Sequence, residues 1–435
     1  MSHHAASPLD HDNSTSEHHR QIRHHGPPPA ATARTTKIVT AVLIPAALLT
    51  ALGLILLWPS GLPTPPSGDG AQRAYGEVVG IVEAPCPPQP PGFQPPPVCG
   101  TVEVNLTDGP GTGGSITVDV PSGPGAPTVN TGDAVILVYT PDAIPGVAQY
   151  AITDHQRGRP MVLMLILCAG VLIAFARWRG LTAILGLAVS FAALLLFVIP
   201  AILTGEPPLL VAIVGSAAIM FAVLYLTHGV NVHTSVAVLG TLASLVLTGL
   251  LGYAFTVTTR LTGFGSEETL YLSIMQTQVD VRGLLLAGII IGALGVLDDV
   301  TVTQATTVAE LSPTATSRLG LYQSAIRVGR AHIASAVNTI VLAYAGASLP
   351  LLILLVAGGR DVSDLLTSEF LAEEIVRSAV GTIGLVAAVP ITTALAALVA
   401  NVGTTVPEPP GARGHHRRRW TPMTATRNTD PWGAE

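Results

Sequence analysis

Charge is what this sequence has least of. Only 11% of its 435 residues are Asp, Glu, Lys or Arg, where a soluble protein carries about a quarter. Hydrophobic residues make up 49%, and mean hydropathy is +0.54. An ordinary soluble domain is excluded, and the lipid bilayer is the expected surroundings. Cysteine is scarce too, with 3 residues. Cys86 and Cys99 share one polar segment, Cys168 lies in an apolar run, and no C-x-x-C or Cys/His zinc spacing occurs. A cysteine metal centre is therefore not expected. No NTP-binding loop, nucleophile–base pair or zinc-hydrolase motif is visible. The chain is read as no enzyme, with no catalytic residue, no cofactor, no metal and no nucleic-acid partner.

What is present is a series of long apolar runs. About 20 residues at 1.5 Å rise cross the hydrocarbon as a helix. Eight runs qualify, near Ile38–Trp58, Met161–Ala176, Leu181–Leu203, Leu209–Leu226, Val232–Val257, Leu284–Leu297, His332–Val356 and Ser378–Ala400. The sixth is short, because Asp298 and Asp299 interrupt it. With eight spans, four basic groups fall on one side: Arg20 to Lys37, Arg177 with Arg179, Arg318 to Arg330, and Arg413 to Arg419. The opposite loops are acid-rich, with Glu267, Glu268, Asp280, Asp361, Asp364, Glu369, Glu373 and Glu374. By the positive-inside rule both termini are cytoplasmic. The first span reads as a signal anchor, since no A-x-A cleavage pattern follows Trp58; a cleaved signal peptide is the alternative.

The expected organisation is an α-helical integral membrane protein of about eight transmembrane helices, with a small β-rich extracytoplasmic domain between helices 1 and 2. Residues 1–36 form a His-rich cytoplasmic tail and 37–58 the anchor. Residues 59–158 form the β-rich domain, 159–402 a seven-helix membrane domain, and 403–435 a basic tail. In the β-rich part, "YGEVVGIVE", "TVEVNLT", "SITVDV" and "DAVILVY" alternate apolar with polar residues between Gly/Pro turns, the pattern of a small sheet or barrel. Cys86 and Cys99 flank a Pro-rich loop. In an exported segment a disulfide closing it is expected, with free thiols as the alternative. The seven histidines before Gly26 read as a solvated disordered tail, or as a loose site for transition metals.

Ionisable groups inside a membrane are costly and are functional candidates by default. Asp298 and Asp299 lead. On a continuing helix, Asp299, Thr303, Thr306 and Glu310 share one stripe, and Asp298, Thr301 and Ala305 a neighbouring one. Such a stripe could line a cation or proton path; equally, the helix could simply reach the interface at Asp298. Adjacent aspartates point about a hundred degrees apart, so they cannot both face one small site. The seventh span offers His332, which titrates near neutral pH, and Asn338, a packing residue or a solute contact. Ser312 and Pro313 fit the start of an interfacial amphipathic helix. Pro390, with Gly381 and Gly384, marks a kink in the eighth span.

The ordered set "THGVN", "GALGVLDDVTVTQATTVAEL", "GRAHIASAVNTIVLAYAGASLP" and "EIVRSAVGTIGLVAAVPITTALAA" resembles the YibE/F family of bacterial membrane proteins, as do "YGEVVGIVE" and "GDAVILVY". The resemblance implies a multipass protein of the bacterial plasma membrane with a β-rich extracytoplasmic part, and it supplies no substrate. Two functions compete. The first is a secondary transporter or permease for ions or small solutes, using Asp298, Asp299, Thr303, His332 and Asn338. The second is a non-transporting assembly or sensory protein whose β domain binds an extracytoplasmic partner. The oligomeric state is not legible.

Overall fold

The computed structural model describes residues 33–61, 71–86, 99–123, 125–141, 148–276, 278–359 and 361–402. The His-rich tail, the Pro-rich loop between the two cysteines and the basic C-terminal tail lie outside the described residues.

The chain opens on α1 (Ala33–Leu56) and then builds a five-stranded antiparallel sheet: β1 (Gln72–Ala84), β2 (Cys99–Asp108), β3 (Ser115–Asp119), β4 (Ala134–Tyr139) and β5 (Tyr150–His155). The order is β3-β2-β1-β4-β5. β1 is the shared central strand, pairing with β2 along most of its length and with β4 through its first residues. β3 and β5 also approach one another, so the sheet curls towards a barrel. Alternation decides which faces turn in. Ala74, Val78, Val102, Val104, Leu106, Val118, Val135, Leu137 and Ile152 form the buried core, and residues between them face out. Cys86 and Cys99 form a disulfide beside the last rung of the β1–β2 ladder, where Ala84 pairs with Cys99.

Helices follow: α2 (Gly158–Ala176), α3 (Trp178–Ala193), a π turn at Leu194–Val198 running into α4 (Ile199–Leu203), α5 (Pro208–His228), α6 (Val232–Thr258) and α7 (Glu267–Met275). The π turn stands just before Pro200, which has no N–H to return to the carbonyl four residues back. Asn231 of "THGVN" caps α6 by accepting from the Thr234 N–H. Then come α8 (Val281–Leu311), a 3-10 turn at Ser312–Thr314, α9 (Arg318–Ala347), α10 (Leu349–Ala357), α11 (Val362–Leu366) and α12 (Glu369–Val399).

Two helical expectations are corrected. The sixth span does not stop at the aspartates: α8 runs unbroken for 31 residues, well past them. The interfacial helix and the seventh span are largely one element, α9, capped by Ser317 and not by Ser312. Seven described helices are long and apolar enough to cross a membrane, and α9 is not among them. Arg318, Arg327, Arg330 and His332 dilute its first half, and the apolar run after them is split between α9 and the nine-residue α10.

The bundle centres on α6, α8 and α12, which pack mutually, with α5 and α9 against them. At one end, Gly263 beyond α6 lies against the Val281 carbonyl of α8, and Thr262 and Gly263 donate to Glu369 of α12. At the other end, Val236, Val308 and Ala396 line one small cavity. α8 and α12 therefore run parallel, and the chain returns between them along α9.

Candidate functional site

Asp298 lies near the middle of α8, with ~26 Å of helix behind it to Val281 and ~20 Å ahead to Leu311. The two aspartates part as helix geometry requires. Asp299 turns outward, its side chain 74% exposed, with Oδ2 3.9 Å from Nε2 of His332 on α9. Asp298 turns towards the bundle, and its Oδ1 is buried with no hydrogen-bond partner among the described residues. The stripe carrying Asp299, Thr303, Thr306 and Glu310 is the exposed face of α8, not a buried path. The neighbouring face is the inner one: Thr301 is fully buried and Gln304 nearly so.

One turn beyond Asp298, the Thr301 and Thr241 hydroxyls meet at 2.6 Å, joining α8 to α6. Thr301 also reaches the Asp298 carbonyl at 3.1 Å, and Thr241 the Ala237 carbonyl at 3.0 Å. Two hydroxyl protons serve three contacts, so one acceptor is always left short. Gln304 donates to the Ala325 carbonyl of α9 at 3.0 Å, while Gly329 leaves room for the Gln304 and Val389 side chains. α12 closes the third side. Gly240 of α6 lies against Thr392, and Gly384 of α12 lies against Thr248. Between these contacts Pro390 removes a helical N–H, which frees the Val386 carbonyl.

Of the residues singled out from sequence, Asp298 turns towards the core with Thr301 and Ala305 of its stripe, Asp299 and His332 form an outer pair, and Thr303 and Asn338 are exposed. Sequence reasoning passed over Thr241, Gln304 and Thr392. The available signal was a row of hydroxyls at helical spacing, Thr241, Ser244 and Thr248, in the apolar middle of α6.

A second polar cluster lies at the opposite end. Glu369 Oε1 accepts from the Thr262 N–H at 2.7 Å and the Gly263 N–H at 3.2 Å, and also from the Thr262 hydroxyl. Glu373, one turn on, is buried and accepts from the Gly265 N–H at 2.9 Å. These carboxylates had the look of an acidic loop; they are the first turns of α12, clasping the loop that leaves α6. Arg377 pairs with Glu374 at 3.1 Å. Chemically, Glu369 and Glu373 accept from the loop they clasp, although Arg377 Nε is buried without a partner among the described residues, whereas the Asp298 carboxylate retains lone pairs for a proton or a cation.

No curated protein and no solved structure matches the chain. A family model described as YibE/F-like protein matches residues 164–402. The match begins within α2 and so takes in every helix of the site, while the β domain lies before it. It spans more than half of the chain, and six of the seven described helices long and apolar enough to cross a membrane lie wholly or partly within it. The chain belongs to the YibE/F-like family.

Proposed function

We propose that the protein is a secondary transporter or permease for ions or small solutes, with Asp298 as the acceptor at its working site. The observation that carries this reading is the buried, unpartnered Oδ1 of Asp298 in mid-helix. An acidic group at the centre of a membrane helix costs about 2.5–3.5 kcal/mol. Among the described residues nothing offsets that cost at Oδ1, whereas a bound proton or cation does. The Thr241–Thr301 pair beside it offers hydroxyl oxygens to the same guest.

The path of the chain supports eight crossings, by α1, α2, α3 with α4, α5, α6, α8, α9 and α12. α9 is included because it must return from the end of α8 to the start of α12. An even number puts Lys37, Arg177, Arg179 and Arg318 on one side, the cytoplasmic face of a plasma membrane, with both termini there and the β domain outside.

The test is flux. In vesicles holding an entrapped pH dye, under imposed gradients of Na⁺, K⁺ or divalent cations, the full chain moves protons or the cation. Asp298→Asn abolishes that movement without altering the melting profile, and Thr303→Ala, on the exposed face, leaves it intact. Undiminished flux in Asp298→Asn sinks the reading.

The assembly or sensory reading is favoured by one observation in the β domain. A cleft of about 460 Å³ lies against β3 and β5, lined by Asp119, Pro121, Tyr150 and Thr153 among others, and each of these strands pairs on one side only. A photo-crosslinker placed at Thr117 of β3 in the full chain is expected to yield a defined adduct in cells if this reading holds. No adduct at any exposed position of β3 or β5 counts against it.

A further inference from the structure

Most hydroxyls in the helical bundle are engaged by their own helix. Ser244, Thr248, Thr339 and Thr393, for example, each donate to the carbonyl one turn back. One group of hydroxyls does otherwise. Between the second half of α9, α10 and the first half of α12 lies a cavity of about 500 Å³, lined by Tyr344, Ser348, Glu374, Ser378 and Thr382 and elsewhere by apolar side chains. The Thr382 hydroxyl is buried without a hydrogen-bond partner, and those of Tyr344, Ser348 and Ser378 have none among the described residues. Tyr344 reaches the cavity over Gly292 of α8, where a Cβ would stand 3.1 Å from the phenolic oxygen. Glu374 accepts from Arg377 Nη1 at 3.1 Å, so the one charge in the lining is cancelled by its neighbour.

The depth of the cavity follows from helix length. α12 has 31 residues, or ~46 Å, against ~30 Å of hydrocarbon, so evenly placed it overhangs by ~8 Å at each end. Counted from Glu369, Ser378 then stands ~6 Å inside the hydrocarbon, and Thr382 about one turn deeper. Hydrocarbon offers these hydroxyls no acceptor. We propose that the cavity is a binding site for one phospholipid of the leaflet on the Glu369 side. Its ester carbonyls accept from the four hydroxyls, and an acyl chain fills the apolar remainder. Three features point to this occupant. The volume lies within the ~300–1,000 Å³ of small-molecule sites. Ala379 of the lining is exposed, so the cavity opens sideways, where a water-soluble guest would have to cross lipid to enter. Ester groups lie at the edge of the hydrocarbon and bring acceptors without donors, which is what unengaged hydroxyls lack. A lipid drawn inward by about one turn, ~5 Å, brings them among the hydroxyls. Because Arg377 cancels Glu374, the site does not read headgroup charge. The inference does not depend on transport or on Asp298.

The full chain is stripped of lipid in a maltoside detergent and titrated with dioleoyl phosphatidylglycerol or dioleoyl phosphatidylcholine, and bound lipids are counted by native mass spectrometry. The wild type holds its first lipid at least tenfold more tightly than any further one, with less than threefold difference between the two headgroups. Ala379→Trp, which fills the mouth of the cavity, weakens that first binding at least tenfold, and Ser378→Ala with Thr382→Val weakens it about fivefold. Ala174→Trp, on a helix with no buried residue, leaves it unchanged. A wild type without a distinct first lipid overturns the proposal, as does first binding that survives both cavity variants. A preference of threefold or more for the anionic lipid overturns it too. Where Ala379→Trp lowers the melting temperature, the wild type itself decides. Phosphatidylcholine carrying a diazirine on its acyl chain is irradiated with the full chain in vesicles. Adducts enriched at residues 341–348 and 371–383 support the site, and adducts without that enrichment overturn it.

Discussion

Replacing Gly384 with alanine probes a close approach between α6 and α12. Gly384 on α12 faces Thr248 on α6, and Gly240 on α6 faces Thr392 on α12. The two contacts are reciprocal and equally spaced on both helices, which fixes an antiparallel register. A Cβ at Gly384 would sit 3.3 Å from the Thr248 Cβ and overlap its hydroxyl. Alanine gains about 0.8–1.0 kcal/mol over glycine inside a helix, and overpacking a filled seam costs about 1–3 kcal/mol. Gly384→Ala is therefore expected to be destabilising by ~0–2 kcal/mol net. Gly381 supplies the control on the same helix, because a Cβ there meets nothing within 4 Å; Gly381→Ala shows the propensity gain alone. The difference between the two variants isolates the overpacking cost. Thr248→Ala removes the obstructing hydroxyl and methyl, so adding it to Gly384→Ala recovers most of the loss. Reversible unfolding of the double-mutant cycle in mixed micelles measures these values. The register is wrong if Gly384→Ala is as stable as Gly381→Ala, or if Thr248→Ala fails to rescue it.

Two further perturbations address the ends of the structure. Cys86 and Cys99 close a loop with a sequence separation of 13, which the chain-entropy model values at about 3 kcal/mol. Cys86→Ser with Cys99→Ser is expected to make the β domain of the full chain far more sensitive to protease from the outer side, with the helices unaffected. Glu369→Ala leaves the Thr262 and Gly263 N–H groups without their acceptor, a loss of about 1–3 kcal/mol where such groups stay dry. Hydrogen exchange at Thr262 and Gly263 is expected to accelerate by one to two orders of magnitude, while the amides of α6 keep their protection.

The β domain was legible wherever alternation ran for several residues. β1 to β4 each place at least one apolar residue inward at period two, and their turns are marked by glycine and proline. β5 was missed because it buries only Ile152 among "YAITDH", which leaves no pattern to read. The helices failed differently. The sequence after Asp298 looks like the end of a span because its side chains are polar or small. Yet Val300, Thr301, Gln304, Ala305 and Val308 are the buried face there, and a close-packed helix seam favours such residues. α9 was divided in two because its arginines resemble a surface helix. That it traverses the bundle follows from both of its neighbours, α8 and α12, running the same way, which is a property of the fold and not of any local segment.

The choice between the two aspartates depended on helical phase. From Leu297, which is fully buried, Asp298 is turned by ~100° and Asp299 by ~200°. Asp299 must then face away from the core and Asp298 must stand at its edge. The run before Leu297 is apolar all round, so hydropathy carries no phase information there. Residue size does carry it: Gly288, Gly292 and Gly295 fall on the same line as Asp299, at steps of three and four. Three glycines on one line of a helix leave that line little apolar side chain to bury, and Asp299 continues it on the exposed side. The glycines thus separate the two aspartates, assigning Asp299 to the exposed face and leaving Asp298 at the edge of the core with one buried carboxylate oxygen.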